Sequence, residues 1–148
     1  MDQVIVRAKL DTLRYRVERV EACVPERYED LIDNPDAEDL VVHNFNQAAQ
    51  ACVDLAMHAI AKAGIPIPHA MADAFDTIRG KGVISEPTAR AMKGAVHIRN
   101  ITTHRYAQLD LRTLHTACTR HLGEFRTFAA QIGQYAGLGD KPLQGDRR

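Results

Sequence analysis

Apolar residues recur every three or four positions along most of this chain, which is the period of amphipathic α-helices. The first run extends from Val6 to Leu31, and Pro25 interrupts it. Because proline lacks the amide hydrogen that a helix needs, we expect a kink or break between Ala22 and Pro25. No segment alternates between apolar and polar residues as a half-buried strand does. The pattern therefore predicts an all-α protein.

Each of the further helices has a residue at its start or end that favours a helix terminus. Asn34, Ser85 and Asp110 can accept amide hydrogens in the first turn of a helix, and Gly64 and Gly80 can end one. The predicted helices that follow the first run are residues 35–63, 71–80, 86 to about 104, and 111–132. We expect an antiparallel four-helix-type bundle with an additional short helix.

The length of 148 residues corresponds to about one domain, and we assign residues 1–138 to it. Residues 139–148 are expected to form a disordered C-terminal tail. No stretch approaches the roughly 20 apolar residues of a membrane span, and the charged beginning of the chain does not resemble a secretory signal. The three cysteines are Cys23, Cys52 and Cys118, an odd number at apolar helical positions. We therefore expect reduced, packed thiols in a cytoplasmic protein.

Charge is distributed unevenly although the formal net charge is zero. Residues 21–40 contain eight acidic residues and one arginine, a net charge of −7, whereas residues 87–126 contain seven basic and two acidic residues, a net charge of +5. The basic segment also contains four histidines. The acidic segment is best interpreted as a solvated helix face. The basic segment is either a solvated face or a local anion site.

An arginine, a histidine and a tyrosine stand close together within the basic segment. Arg99, His104 and Tyr106 form the pattern R-x4-H-x-Y. A guanidinium grips phosphate with a rigid fork, an imidazole transfers protons near neutral pH, and a phenol can donate a hydrogen bond or accept a modification. These groups suit cleavage of a phosphodiester without a metal ion. Seen singly, each of the three would be an ordinary surface, capping or packed residue.

The position of this motif at the end of a predicted helix affects how its groups can meet. Arg99 and His104 lie five residues apart, which is about 140° around a regular helix. If the helix ends near Thr103, the loop before Asp110 can bring His104 and Tyr106 back toward Arg99. We therefore expect the site at a junction between a helix and a loop.

Other arrangements of reactive residues in the sequence are weaker. His115, Cys118 and His121 are spaced three apart, but the two histidines would lie about 120° apart around a helix. No histidine pair has the spacing of a helical zinc site, and no glycine-rich phosphate loop occurs. The sequence predicts no metal and no cofactor.

From about Asn44 to Phe128 the chain resembles the HepT-like branch of the HEPN superfamily, the toxin half of HepT/MntA toxin–antitoxin systems. The segment that begins with Asn44 resembles the second helix of that family, and Gly64-Ile-Pro-Ile-Pro68 resembles its connector. The stretch MKGAVHIRNITTHRYAQLD, residues 92–110, resembles its signature M-V-G-F-R-N-x-x-x-H-x-Y-x-x-x-D. The chain departs from the family at residues 95–98, where a shorter Gly-Phe step is usual, but the spacing of Arg-Asn, His, Tyr and Asp is intact.

The resemblance implies a homodimeric, metal-independent endoribonuclease toxin that cleaves RNA such as tRNA or mRNA, with motifs of both protomers lining a shared cleft. It implies that His104 is the general base and that Arg99 binds the scissile phosphate. Asn100, Arg105 and Tyr106 would bind substrate, and Tyr106 would be adenylylated by a partner nucleotidyltransferase antitoxin of the MntA type. The alternative interpretation is a non-catalytic helical subunit that binds a nucleotidyltransferase.

Overall fold

The computed structural model describes residues 1–104 and 110–138, and these residues form seven α-helices and no strand. The helices are α1 (Gln3–Cys23), α2 (Tyr28–Ile32), α3 (Pro35–Lys62), α4 (Met71–Gly80), α5 (Glu86–His104), α6 (Leu111–Arg120) and α7 (Gly123–Tyr135). The predicted all-α class is confirmed. Within the described ranges, no helix is long and apolar enough to cross a membrane. The predicted C-terminal tail, residues 139–148, lies outside the described residues, and the assignment of residues 1–138 to one domain stays a prediction.

Local sequence signals place most helix ends where they were expected. The first apolar run breaks at Pro25, with α1 before it and α2 after it. The Asn34 side chain accepts a hydrogen bond from the amide of Ala37 at 3.1 Å and so begins α3. Gly64 follows α3 with a φ of 73°, a left-handed conformation that glycine adopts without steric cost. The helix break and the helix ends predicted at these positions are therefore confirmed.

The prediction of one continuous helix over residues 111–132 is wrong, because the chain forms α6 and α7 with a break between them. The break lies at His121, whose φ of −124° and ψ of 11° are not helical. Gly123 follows it, and glycine is about 1 kcal/mol less favourable than alanine inside a helix. The apolar residues Cys118, Leu122 and Phe125 keep helical spacing across the break, so periodicity alone does not reveal it.

Contacts between the long helices show that neighbours run antiparallel. Lys9 near the start of α1 forms an ion pair with Asp54 near the end of α3 at 2.9 Å. Arg16, further along α1, donates to Asn44 near the start of α3 at 3.0 Å. The start of α1 likewise contacts the end of α7, where the Gln3 amide donates to the carbonyl of Ala136 at 3.1 Å. The predicted antiparallel bundle is confirmed.

Aromatic and aliphatic side chains from all seven helices form one buried core. Two edge-to-face phenylalanine pairs lie within it, Phe45 with Phe125 at 5.6 Å and Phe75 with Phe128 at 5.8 Å between ring centroids. These pairs join α3 and α4 to α7. Each such pair adds about 0.5–1.5 kcal/mol to the stabilisation from buried area. They thereby fix α7 against the middle of the bundle.

The three cysteines are free thiols, as the sequence predicted. Cys52 and Cys118 are buried in the core, and Cys23 is half-buried at the end of α1. Burial raises the pKa of Cys118 to about 12, and it also raises the pKa of Cys52. Both buried thiols are therefore protonated at neutral pH and act as packing residues.

Phe128→Ala should lower the free energy of unfolding by about 3–5 kcal/mol, because it opens a cavity at a fully buried position beside Phe75. Phe128→Leu should cost less, since more of the volume is kept. Urea unfolding followed by circular dichroism measures both. Tyr15→Ala, on a residue that is 51% exposed, is the control and should change stability by no more than about 0.5 kcal/mol. An equal loss in Phe128→Ala and Tyr15→Ala would contradict the assigned core.

Candidate functional site

The register of α5 places Arg99 and His104 on different sides of one helix. Residues seven apart lie on nearly the same side of an α-helix. Arg99 therefore lies on the side of Met92, which is buried, and His104 lies on the side of His97, which is exposed. The helix includes His104 as its last residue. The separation of about 140° that the spacing implied thus applies to the folded chain.

Asn100 connects the two sides of α5. The Arg99 guanidinium donates from Nη1 to the Asn100 side-chain oxygen at 3.1 Å, and both residues are half-exposed. Asn100 also stands four residues before His104, a spacing that places two residues next to each other on a helix surface. The bond therefore turns the guanidinium from the bundle side of α5 toward the side on which His104 stands. Half-exposure keeps both polar groups accessible to a ligand.

The backbone carbonyl of Arg99 accepts a hydrogen bond from the Thr102 hydroxyl at 2.9 Å. Thr102 is buried, with 7% of its surface exposed. This bond satisfies the buried hydroxyl within the last turn of α5.

The remaining predicted site residues lie outside the described part of the chain. For His104 the structure describes the helical backbone and not the side chain, and Arg105 and Tyr106 belong to residues 105–109. The prediction that this helix ends at or near His104 is confirmed. The expected course of the loop before Asp110 falls on residues 105–109, outside the described part of the chain. Their catalytic and binding roles stay predictions.

A groove runs beside residues 90–98 of α5, between α5, α6 and α7. It has a volume of about 410 Å³ and reaches Ile98, the residue before Arg99. Its apolar lining includes Phe45, Met92, Ala95, Ile98, Ala117 and Phe125. Arg90, His97 and His121 stand at its polar edge. Gly94 also lines it, and a Cβ at this glycine would meet no atom within 4 Å.

Asp110 caps α6 and fixes the point at which the chain re-enters the described fold. Its carboxylate accepts from the amides of Arg112 at 3.0 Å and Thr113 at 3.3 Å, and from the Thr113 hydroxyl at 2.8 Å. The bond from the Thr113 hydroxyl, followed by the backbone bonds and the charge of Arg112, lowers the pKa of Asp110 below its ordinary value. The predicted cap is confirmed.

The described residues contain no group of three or more His, Cys, Asp or Glu side chains that could hold a metal ion. Of the weak candidates in α6, the His115 ring contacts the carbonyl of Pro25 at 2.8 Å, and Cys118 is buried. His121 lies 3.5 Å from Glu124. The three side chains therefore lie in different surroundings and have different neighbours.

Seven of the eight acidic residues in the acidic segment are exposed, which agrees with solvated acidic side chains. One of its residues, Glu21, pairs with Arg126 of the basic segment at 2.7 Å, and this bond raises the pKa of Arg126. The other described arginines and lysines of the basic segment are mostly exposed or half-exposed. An anion site near Arg99 is compatible with this distribution of charge.

Two features near the motif were not predicted from sequence. One is the groove beside Gly94, and the other is a contact between Tyr28 and two residues of α6, Arg112 and His115. Both join segments that are far apart in the chain, and the His115 contact with Pro25 spans 90 residues. No local pattern of residues signals such a contact.

Comparison with known proteins was made with sequence and with structure. The family described as Ribonuclease HepT-like matches residues 13–132. A relative named mRNA nuclease HepT, from Shewanella oneidensis, is 30% identical over 91 residues, which cover 62% of this chain and 68% of that protein.

Two solved structures show the same fold. The tri-AMPylated Shewanella oneidensis HEPN toxin, in complex with MNT antitoxin, aligns with a TM-score of 0.81 and 25% identity, covering 90% of this chain and 98% of that one. The cytosolic protein YutE from Bacillus subtilis, of unknown function, aligns with a TM-score of 0.79 and 14% identity over 97% of each chain.

Asp110→Ala should destabilise the protein at neutral pH and by less in acid. The folded state holds the carboxylate form, so the contribution of Asp110 is complete above its unfolded pKa of about 3.9 and is lost as the pH falls through its lower folded pKa. Melting temperatures of both proteins between about pH 7 and about pH 3 measure this change. Asp110→Asn keeps a cap that does not titrate and is the control. A constant difference between wild type and Asp110→Ala down to about pH 3 would contradict the assignment.

Proposed function

The chain belongs to the ribonuclease HepT-like family, and on that premise we propose that it is a metal-independent endoribonuclease whose motif is Arg99, His104 and Tyr106. The observation that carries the proposal is the hydrogen bond between Arg99 and Asn100 at 3.1 Å. It directs a phosphate-binding group toward the side of α5 on which a proton-transfer group stands. A guanidinium and an imidazole are the two groups that cleavage of RNA requires when no metal ion takes part.

His104 is the general base in this mechanism. Its neutral imidazole takes the proton from a ribose 2′-hydroxyl, and the 2′-oxygen attacks the neighbouring phosphorus. The bond from phosphorus to the 5′-oxygen breaks, and the leaving oxygen takes a proton from the imidazolium. The products are a 2′,3′-cyclic phosphate and a free 5′-hydroxyl. An ordinary histidine titrates at about 6.5, so both protonation states are accessible near neutral pH.

Arg99 stabilises the charge that develops on the phosphate oxygens in the transition state. Its guanidinium can donate two parallel hydrogen bonds to a phosphate, and it keeps its charge at any physiological pH. One of its donors is held by Asn100, which limits the orientations that the fork can adopt. Asn100 in turn has an amide group with which to bind a phosphate oxygen or the imidazole of His104.

Arg105 and Tyr106 complete the proposed substrate site from residues 105–109, and their roles come from the sequence. Arg105 adds affinity for phosphate, and Tyr106 positions the RNA. We also propose that the Tyr106 hydroxyl accepts AMP from a nucleotidyltransferase antitoxin, since the similar Shewanella toxin is tri-AMPylated and bound to such a partner. AMP adds bulk and negative charge at an anion site, so it excludes RNA by volume and by repulsion.

A second copy of the chain is the other proposed partner. The groove between α5, α6 and α7 is lined by half-buried apolar residues, among them Ala91, Ile98 and Ala117, and Gly94 leaves it open for close approach. We propose that two copies meet over this groove. Because Ile98 precedes Arg99, such a contact borders the reactive end of α5 and makes a cleft shared by both protomers.

The free thiols fit a reducing compartment, and we place the action of the protein in the cytoplasm.

Purified protein, shown by intact mass to carry no AMP, should cleave tRNA or mRNA in the presence of EDTA. His104→Ala should lose about a hundredfold or more in rate, since it removes the general base. Arg99→Ala should lose activity comparably, and Arg99→Lys should recover part of it because the charge remains without the fork. Gel analysis of cleaved RNA over time gives the rates.

His43→Ala is the matched control, since His43 is an exposed histidine of α3 that does not line the groove. It should cleave at the wild-type rate. Equal cutting by wild type and His104→Ala would contradict the proposed mechanism. If the unmodified wild type cuts no RNA, the alternative of a non-catalytic subunit that binds a nucleotidyltransferase is favoured.

Tyr106→Phe should still cleave RNA within about tenfold of the wild-type rate, because no proton transfer depends on the phenol. It should not accept AMP when co-expressed with the nucleotidyltransferase, whereas the wild type should gain at least one AMP by intact mass. Tyr15→Phe, at an exposed tyrosine of α1, is the control and should be modified like the wild type. Modification of Tyr106→Phe to the wild-type extent would place the acceptor elsewhere.

A further inference from the structure

Two side chains of α6 and one of α2 attach the beginning of α6 to the connection between α1 and α2. The ring of Tyr28 is contacted by Arg112 and by His115, which stand three residues apart and therefore on one side of α6. His115 also contacts the backbone carbonyl of Pro25. We refer to Tyr28, Arg112 and His115 as the α6 clamp.

The contact between His115 and Pro25 has a defined direction. Nε2 of the imidazole lies 2.8 Å from the Pro25 oxygen, and a carbonyl can only accept. Nε2 therefore carries a hydrogen and donates it, in the neutral ring as well as in the protonated one. Pro25 lies in the connection between α1 and α2. The bond therefore ties α6 to the backbone of that connection.

Tyr28 makes the second part of the clamp. The guanidinium carbon of Arg112 lies 4.0 Å from the centre of the Tyr28 ring, and the His115 ring meets Tyr28 edge to face at 5.9 Å with an interplanar angle of 74°. A cation over an aromatic face contributes about 0.5–1 kcal/mol at an exposed site. Tyr28 itself is anchored, since α2 inserts Leu31 fully into the core.

α6 is held against the bundle in two ways. Leu114 and Cys118 are buried and pack the helix against the core. Arg112, in its first turn, is exposed. The contacts of Arg112 and His115 with Tyr28 and Pro25 add a second attachment, to the connection between α1 and α2.

The beginning of α6 is one of two anchors of the segment that carries Tyr106. α5 ends at His104, and Asp110 caps α6, so residues 105–109 join two defined points. Tyr106 is four residues from Asp110, and four residues of chain span about 14 Å at most. A displacement of the first turn of α6 therefore changes where Tyr106 can lie relative to Arg99.

We propose that the α6 clamp consists of positioning residues, which place the motif segment for RNA cleavage and for adenylylation of Tyr106. The three residues act through the position of α6. It rests on the function proposed above. Misplacement of reactive groups by about 1 Å can cost about a hundredfold in rate.

The test compares variants that break the clamp with variants that keep it. Tyr28→Ala and His115→Ala should each lower the rate of RNA cleavage in EDTA by about tenfold, and should lower the rate of AMP transfer to Tyr106 similarly. Affinity for a non-cleavable 2′-O-methyl RNA should fall by less than the cleavage rate does, because phosphate binding by Arg99 is kept while Arg105 and Tyr106 are displaced. Tyr28→Phe keeps the stacked ring, and His115→Gln keeps a donor near Nε2, so both should stay within about threefold of wild type.

Tyr15→Ala and His69→Ala are matched controls, since both residues are exposed, and neither belongs to the clamp or lines the groove. All rates are measured well below each melting temperature, with folding verified by circular dichroism. A variant with a lowered melting temperature but wild-type rates of cleavage and modification would show a merely structural role and overturn the proposal. A wild type that neither cleaves RNA nor accepts AMP would overturn the proposed function, and the positioning role would fall with it.

Discussion

The register of α5 is the constraint on which the candidate site depends. Met92, Val96 and Thr102 are buried against the bundle, so the helix cannot rotate without exposing apolar surface. With that side fixed, Arg99 falls toward the bundle, and position 104 lies about 140° around the helix from it. The hydrogen bond from Arg99 to Asn100 directs the Arg99 guanidinium away from the bundle and toward the side of α5 that carries Asn100. The buried side of α5 therefore fixes the angle around the helix between Arg99, the proposed phosphate-binding residue, and His104, the proposed proton-transfer residue.

The rest of the fold holds α5 in this register. At its beginning, the Ser85 amide donates to the Gln131 side chain of α7 at 2.9 Å. In its middle, Lys93 pairs with Asp76 of α4 at 2.8 Å, although both partners are too exposed for this pair to contribute much stability. The larger stabilisation comes from the phenylalanine pairs, which hold α3, α4 and α7 around it. Arg99 and Asn100 therefore lie near the end of a helix that the bundle holds on several sides.

Features that depend on neighbouring residues could be predicted from the sequence, and features that depend on distant ones could not. The Pro25 break, the Asn34 cap and the Asp110 cap each involve groups within about four positions of one another. The break at His121 escaped prediction because apolar periodicity continues through it. The angle of about 140° between Arg99 and His104 could be predicted from helical spacing. The orientation of the Arg99 side chain toward Asn100 could not, because it depends on a hydrogen bond that only the structure shows. The α6 clamp joins residues from opposite parts of the chain, so no local signal announced it.

The most direct test of the account is the chemistry of the new RNA ends. Mass spectrometry of a short synthetic RNA, cleaved in EDTA by the unmodified protein, identifies the group on the 3′ end of the upstream product. Attack by the 2′-oxygen, with His104 as base and Arg99 on the phosphate, predicts a 2′,3′-cyclic phosphate that is absent with His104→Ala. A 3′-hydroxyl end, as direct attack of water with release of the 3′-oxygen produces, would contradict the mechanism assigned to this site.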